Sequence, residues 1–200
     1  MVAVSTAHTP IASAGFRLPT GRPFAVDDLQ EIPDDGNRYE LLDGVLVVTP
    51  APGWYHQVMA GALFAVLREA CPNDLRVLLA PFAFQPNIEI ELQPDVLVAR
   101  FEQFTAKNLP TAPLLAAEVA SPSTSVFDRH TKRAAYERLG VASYWLLDPA
   151  EGGAITVLEQ DGGGQYREVA SVVGEQPLVV ERPFPVTLSP AGLLADTRPR

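Results

Sequence analysis

Cysteine is almost absent from this chain: Cys71 is the single one in 200 residues. One thiol excludes an intrachain disulfide and a cysteine-rich zinc site, so a reducing cytoplasm is the expected compartment. Long hydrophobic runs are also missing. Apolar residues make up 47% of the chain, yet no run approaches the roughly 20 residues that span a bilayer, and no membrane association is expected. Residues 1–15 lack the basic start and apolar stretch of a secretion signal. Positive charge is scarce, with 15 Lys and Arg against 24 Asp and Glu and a formal net charge of −9. Sequence-independent binding to nucleic acid depends on cations that neutralise phosphates, and this balance counts against it. It does not exclude phosphate chemistry, because a divalent ion in an acidic cluster supplies positive charge where a phosphate sits. No zinc finger or added helix-turn-helix is recognisable. Gly162-Gly163-Gly164 lacks the Lys-Ser/Thr ending of a phosphate loop and reads as a hairpin loop.

The length suits one domain with tails. Residues 1–22, rich in Ala, Ser, Thr and Pro, read as a disordered tail, 23–195 as the domain and 196–200 as a second tail. A short helix is expected over Phe24 to Ile32. Arg38 to Leu42 and Val45 to Val48 flank Asp43-Gly44, a strong hairpin signal because both turn residues tolerate positive φ. Tyr55 to Ala70 reads as a helix with Val58, Ala62, Ala65 and Val66 on its apolar face, widened by Leu63 and Leu67. Leu75 to Leu79 is apolar enough for a buried strand. Pro81 to Glu91 reads as irregular, with Ile88-Glu89-Ile90 extended. Strands follow at Asp95 to Ala99 and Leu114 to Ala120, joined by a loop. Asp128 to Leu139 reads as a helix stopped by Gly140, then a strand over Ala142 to Leu147. Three or four short β runs fill 153–188. The order gives an α/β domain with a mixed sheet flanked by helices and extra C-terminal β-hairpins.

Two carboxylates stand out. Asp95 lies at the start of the buried run Val96-Leu97-Val98, where an ionised group is costly unless paired or metal-bound. Glu118 interrupts Leu114-Leu115-Ala116-Ala117 and Val119-Ala120. Strand alternation puts it on one face with Ala116 and Ala120, whose small side chains leave room for a ligand. The bland alternatives are a turn-capping Asp95 and an edge strand with Glu118 in solvent. Lys132 precedes Tyr136 by one helical turn, on the same face. Glu40 in the first hairpin and His56 in the first turn of its helix are further polar residues beside apolar segments. Carboxylates on neighbouring strands with a nearby ammonium point to a divalent metal site for cutting phosphodiesters.

These residues together resemble a bacterial family. Tyr39-Glu40-Leu41-Leu42-Asp43-Gly44, His56 and Pro94-Asp95-Val96-Leu97-Val98 are similar to its first half. Glu118-Val119-Ala120-Ser121-Pro122-Ser123-Thr124, Asp128, Lys132, Tyr136, Gly140-Val141 and Tyr144 to Pro149 are similar to its second. The family is the Uma-type group within the restriction-endonuclease-like PD-(D/E)xK superfamily, and the resemblance runs over residues 24–195. It implies a mixed central sheet with helices on both sides. It also implies Mg²⁺, with Mn²⁺ as a substitute, on Asp95 and Glu118, and Glu40 as a further ligand or base. The substrate class it implies is nucleic acid, DNA before RNA, and a homodimer is the expected assembly. The motif lysine belongs two residues after Glu118, where this chain has Ala120; the resemblance implies that Lys132 on the next helix replaces it, with Tyr136 and His56 auxiliary.

Other uses of the same residues remain open. An inactive nuclease-fold module could bind nucleic acid or a protein, which the acidic composition favours. An acid–base pair acting on sugars is disfavoured because few aromatic residues accompany the carboxylates.

Overall fold

The structure is a computed structural model and describes residues 3–4, 19–121 and 127–197. Its elements in chain order are β1 (Ala3–Val4), α1 (Val26–Leu29), β2 (Arg38–Leu42), β3 (Val45–Thr49) and α2 (Trp54–Ala70). Then come β4 (Leu75–Leu79), β5 (Ala83–Asn87), β6 (Ile90–Leu92), β7 (Val96–Arg100), β8 (Asn108–Leu109) and β9 (Leu115–Val119). A wide π-type turn over Phe127–Lys132 leads into α3 (Arg133–Arg138). The chain closes with β10 (Ser143–Asp148), β11 (Ala154–Gln160), β12 (Tyr166–Val173), β13 (Leu178–Val180), β14 (Val186–Leu188) and α4 (Pro190–Leu193).

The hairpin β2–β3 forms where Asp43-Gly44 predicts it. Asp43 has φ 51° and Gly44 φ 72°, the pair of left-handed residues that a two-residue turn needs. Glycine at 44 is also forced by space, since a Cβ there would overlap the Pro23 side chain. This hairpin belongs to a sheet of order β1-β3-β2-β6-β5-β8. The second sheet runs β12-β11-β10-β9-β7-β4 and is mixed: β9 and β10 are parallel, their other neighbours antiparallel. β13 and β14 form a separate ribbon.

The second sheet is covered on both faces. Leu115, Ala117 and Val119 of β9, with Trp145 and Leu147 of β10, pack with α2, the β13–β14 ribbon and α4. Ala116 and Tyr144 face the other way, onto Ala135 and Tyr136 of α3 and onto Phe84, Ile90 and Leu92 of the first sheet. Burial on both faces makes these strands continuously apolar. β9 is an interior strand, so Glu118 is not an edge residue in solvent.

Several expectations shift. The buried stripe of α2 is Met59, Ala60, Leu63 and Leu67; Val58, Ala62 and Val66 are half-buried and Ala65 is exposed. Burying a Met or Leu is worth about 1.5–3 kcal/mol, so the larger side chains decide which face turns inward. Residues 83–92 are a second hairpin, not an irregular segment with Ile88-Glu89-Ile90 extended: β5 and β6 turn at Ile88-Glu89. β4 is an edge strand and only half-buried, with Leu75 and Val77 inward and Arg76 outward. The tail expected over 1–22 lies largely outside the described residues, but Ala3–Val4 pair in parallel with β3 and Arg22 pairs with Asp28. Of the tail expected over 196–200, residues 196–197 sit in a short 3-10 turn and the remainder lies outside the described residues. Pro122-Ser123-Thr124 lie outside them too.

Candidate active site

β2 and β9 each carry one carboxylate to a common point, and Asp95, the residue before β7, adds a third. The antiparallel register pairs Val96 with Ala117, so the next step outward places Asp95 beside Glu118. Asp95 Oδ2 accepts the Val119 N–H at 2.8 Å. Strand alternation turns Glu118 onto the α3 face, as it does Ala116. Glu40 on β2 reaches the same point from the first sheet. Its Oε1 accepts the Gln93 N–H at 2.7 Å.

Lys132 ends the wide turn that feeds α3, and its Nζ lies between two of these acids. It donates to Glu40 Oε1 at 3.0 Å and to Glu118 Oε1 at 2.9 Å. Glu40 Oε2 also lies 2.9 Å from Nζ, though without a well-aligned hydrogen bond. Tyr136, one turn on, donates its hydroxyl to Glu118 Oε1 at 2.7 Å. Burial, then the charges of Glu118 and Glu40, raise the Tyr136 phenol well above its ordinary value, so it stays a donor. Gly140 at φ 80° ends α3, with Val141 N–H bonded to Tyr136 C=O and Gly140 N–H to Glu137 C=O. That cap fixes the helix end and the face that carries Lys132 and Tyr136.

Asp95 is held from the other side. His56 Nε2 on α2 lies 2.9 Å from Asp95 Oδ2, and Arg38 Nη1 donates to Asp95 Oδ1 at 2.9 Å. Burial works against the charged form, but the His56 hydrogen bond and the charges of Arg38, His56 and Lys132 hold the carboxyl well below the usual range. Arg38 Nη2 also lies 3.8 Å from Glu40 Oε2. Burial lowers the Arg38 pKa, but Glu40, Asp95 and Glu118 more than offset this and raise it. Glu40, Asp95, Glu118 and Lys132 are each at most 3% exposed. Among the described residues, three carboxylates thus face two permanent cations. Isolated charges at this depth would be prohibitive; as a paired network they are tolerated.

All six residues singled out in the sequence meet here: Glu40, His56, Asp95, Glu118, Lys132 and Tyr136. Arg38 was missed. Its signal was alternation, since it lies two residues before Glu40 and therefore on the same side of β2. A cleft of about 510 Å³ opens onto Arg38, His56, Gln93 and Asp95. Glu40, Glu118 and Lys132 do not line it and are buried.

The sequence matches the family described as "Uma2: Putative restriction endonuclease" over residues 26–195. This chain belongs to the Uma2 family. A crystal structure of a protein from Anabaena variabilis, described as "a putative nuclease belonging to DUF820", has the same fold. The TM-score is 0.67 at 19% identity, over 86% of the Uma2 chain and 98% of the other. A search of curated proteins gives no match. The family description points to a nuclease. Among the described residues no helix is long and apolar enough to cross a membrane.

The sequence resemblance implies a divalent ion on Asp95 and Glu118. Among the described residues, no three His, Cys, Asp or Glu groups are arranged to cage a metal. Asp95 and Glu118 are nonetheless hard oxygen donors on adjacent strands. Mg²⁺ is ordinarily held by one or two carboxylates and completes its shell with water and substrate phosphate. Carboxylate oxygens are the donor type that Mg²⁺ and Mn²⁺ take, and of the two acids Asp95 lines the cleft.

Proposed function

We propose that this Uma2 protein is a metal-dependent endonuclease that hydrolyses phosphodiester bonds in DNA. The observation that supports it is the pairing of buried Lys132 with Glu40 and Glu118, next to Asp95, which lines a cleft. Four charged groups, from β2, the residue before β7, β9 and the turn before α3, are buried together. Asp95 and Glu118 are the residues that would hold the ion. An ion held there would supply Lewis-acid polarisation of a phosphoryl oxygen and a lowered pKa for the attacking water.

The chain's own groups divide the remaining work. Arg38 faces the cleft, and its planar guanidinium suits a phosphate oxygen pair. Lys132, fixed by two carboxylates, orients the attacking water and stabilises the charge that grows on phosphorus-bound oxygen. Glu40 is held in place by Lys132 and the Gln93 N–H, and it takes the proton released from that water. One P–O ester bond breaks as the new one forms, and the leaving alkoxide is protonated from solvent. His56 and Tyr136 position Asp95 and Glu118.

A second reading has one observation in its favour. The net charge of −9 suits a binding module with a protein partner better than a duplex-binding enzyme. Calorimetric titration of Mg²⁺ and Mn²⁺ separates the two, with wild type beside Asp95→Ala. Binding to wild type that is lost in the variant is expected. No binding to wild type, even with oligonucleotide present, would favour the module.

A further inference from the structure

The first turn of α2 carries two aromatic side chains that the proposed reaction does not use. Trp54 and Tyr55 are 55% and 48% exposed. Their ring centroids lie 3.9 Å apart with the planes tilted by 33°. The next residue is His56, which is bonded to Asp95. His56 and Gln57 line the cleft that holds Arg38 and Asp95. Tyr55 lines a different cleft, of about 620 Å³, with Ala120, Asp148, Pro149 and Leu194. The aromatic pair therefore stands on the ridge between two concave surfaces, within one helical turn of the carboxylate site. Trp54, unlike the fully buried Trp145, takes no part in the hydrophobic core.

We propose that Trp54 and Tyr55 form a stacking platform for an unpaired base next to the phosphate that enters at Arg38. The inference rests on the nuclease reading and narrows its substrate to single-stranded or locally unpaired nucleic acid. Every base has a π face, so stacking on aromatic side chains binds single strands with little regard to sequence. A duplex hides those faces and presents phosphates, and a protein of net charge −9 has few cations with which to neutralise them. Stacking supplies affinity that the charge balance withholds. Trp54 and Tyr55 immediately precede His56 in the first turn of α2, so the pair adjoins the residues that line the Arg38 cleft.

The chain has two tryptophans and only Trp54 is exposed, so its fluorescence reports on the platform. Binding is measured in EDTA, which separates it from cleavage. Short oligothymidylate should quench the exposed emission saturably, and a duplex of equal length should bind about tenfold more weakly or worse. By anisotropy of a labelled strand, Trp54→Ala with Tyr55→Ala should lose about tenfold in affinity or more, and Trp54→Phe with Tyr55→Phe should retain most of it. Equal affinity for duplex and single strand, or no loss in the alanine variant, overturns the proposal. So does a dimer that sedimentation shows the alanine variant to break while oligonucleotide affinity is unchanged, since that assigns the pair to a second copy. Cleavage in Mg²⁺ distinguishes the two readings. Aromatic-dependent binding without any cleavage defeats the nuclease reading alone; cleavage at equal rates on both forms by both proteins defeats the platform alone.

Discussion

Lys132 is a buried cation paired with two buried carboxylates. Its ammonium lies within 3.0 Å of both Glu40 and Glu118, with almost no solvent. Removing one partner of such a network leaves charge buried and uncompensated, at a cost of about 3–5 kcal/mol. Lys132→Met should therefore lower unfolding stability in urea by about that amount. Adding Glu40→Gln should recover part of the loss, because one orphaned charge then disappears. A double variant less stable than the single one would show that Glu40 and Lys132 do not form the pair described here. At this scale the sequence was unevenly informative. Glu118 was legible because it breaks an apolar run. That Lys132 meets it depends on how α3 docks, which spacing does not encode. Arg38 was overlooked because an arginine opening a hairpin is normally a solvated residue, and its ion pair with Asp95 spans 57 positions.

Among the elements, α1 shows how a local polar lock is read and tested. Asp28 Oδ2 accepts the Ala25 N–H at 2.7 Å, and both of its oxygens pair with Arg22. The Arg22 hydrogen bonds first, and the Ala25 N–H second, hold its carboxyl down at about 2. A depressed carboxyl stabilises above its unfolded pKa, near 3.9 for Asp, and loses that contribution as pH falls through the folded value. The lock should be intact above about pH 4 and open progressively toward pH 2. A carboxyl-carbon NMR titration of Asp28 checks this, and Arg22→Ala should move the midpoint back toward the ordinary range. An unchanged midpoint would remove Arg22 from the account. Element legibility followed local chemistry. The β2–β3 hairpin was readable from Asp43-Gly44. The β5–β6 hairpin was not, because Pro86 and Asn87 disfavour a strand; the segment is held by Phe84 and Asn87 pairing with β6 and by Ala83 and Phe84 pairing with β8, with Pro86 in the irregularity between. The inward face of α2 was misjudged because its small residues repeat as regularly as its large ones.

For the whole molecule, the fold class was legible from the order of elements and from the resemblance carried by the second half. The two-sheet arrangement was not, since it requires β2 to pair with β6 across the chain. Charge sets one property at this scale. With net charge −9 and Arg38 as the cation facing the cleft, binding to nucleic acid should release few counterions. Log affinity against log salt should fall with a slope of about −1 to −2, read from anisotropy titrations in EDTA. A slope as steep as that of a protein with many phosphate contacts would mean that a basic surface has been missed. Asp95 and its neighbours are proposed to cut phosphodiesters. The direct test is cleavage of labelled single-stranded and duplex DNA in Mg²⁺ and Mn²⁺ by wild type and by Asp95→Asn, with circular dichroism confirming that both are folded. The account predicts cleavage by wild type and a loss of about a hundredfold or more in the variant. Equal cleavage by the two proteins, or none by a folded wild type on either substrate, would contradict it.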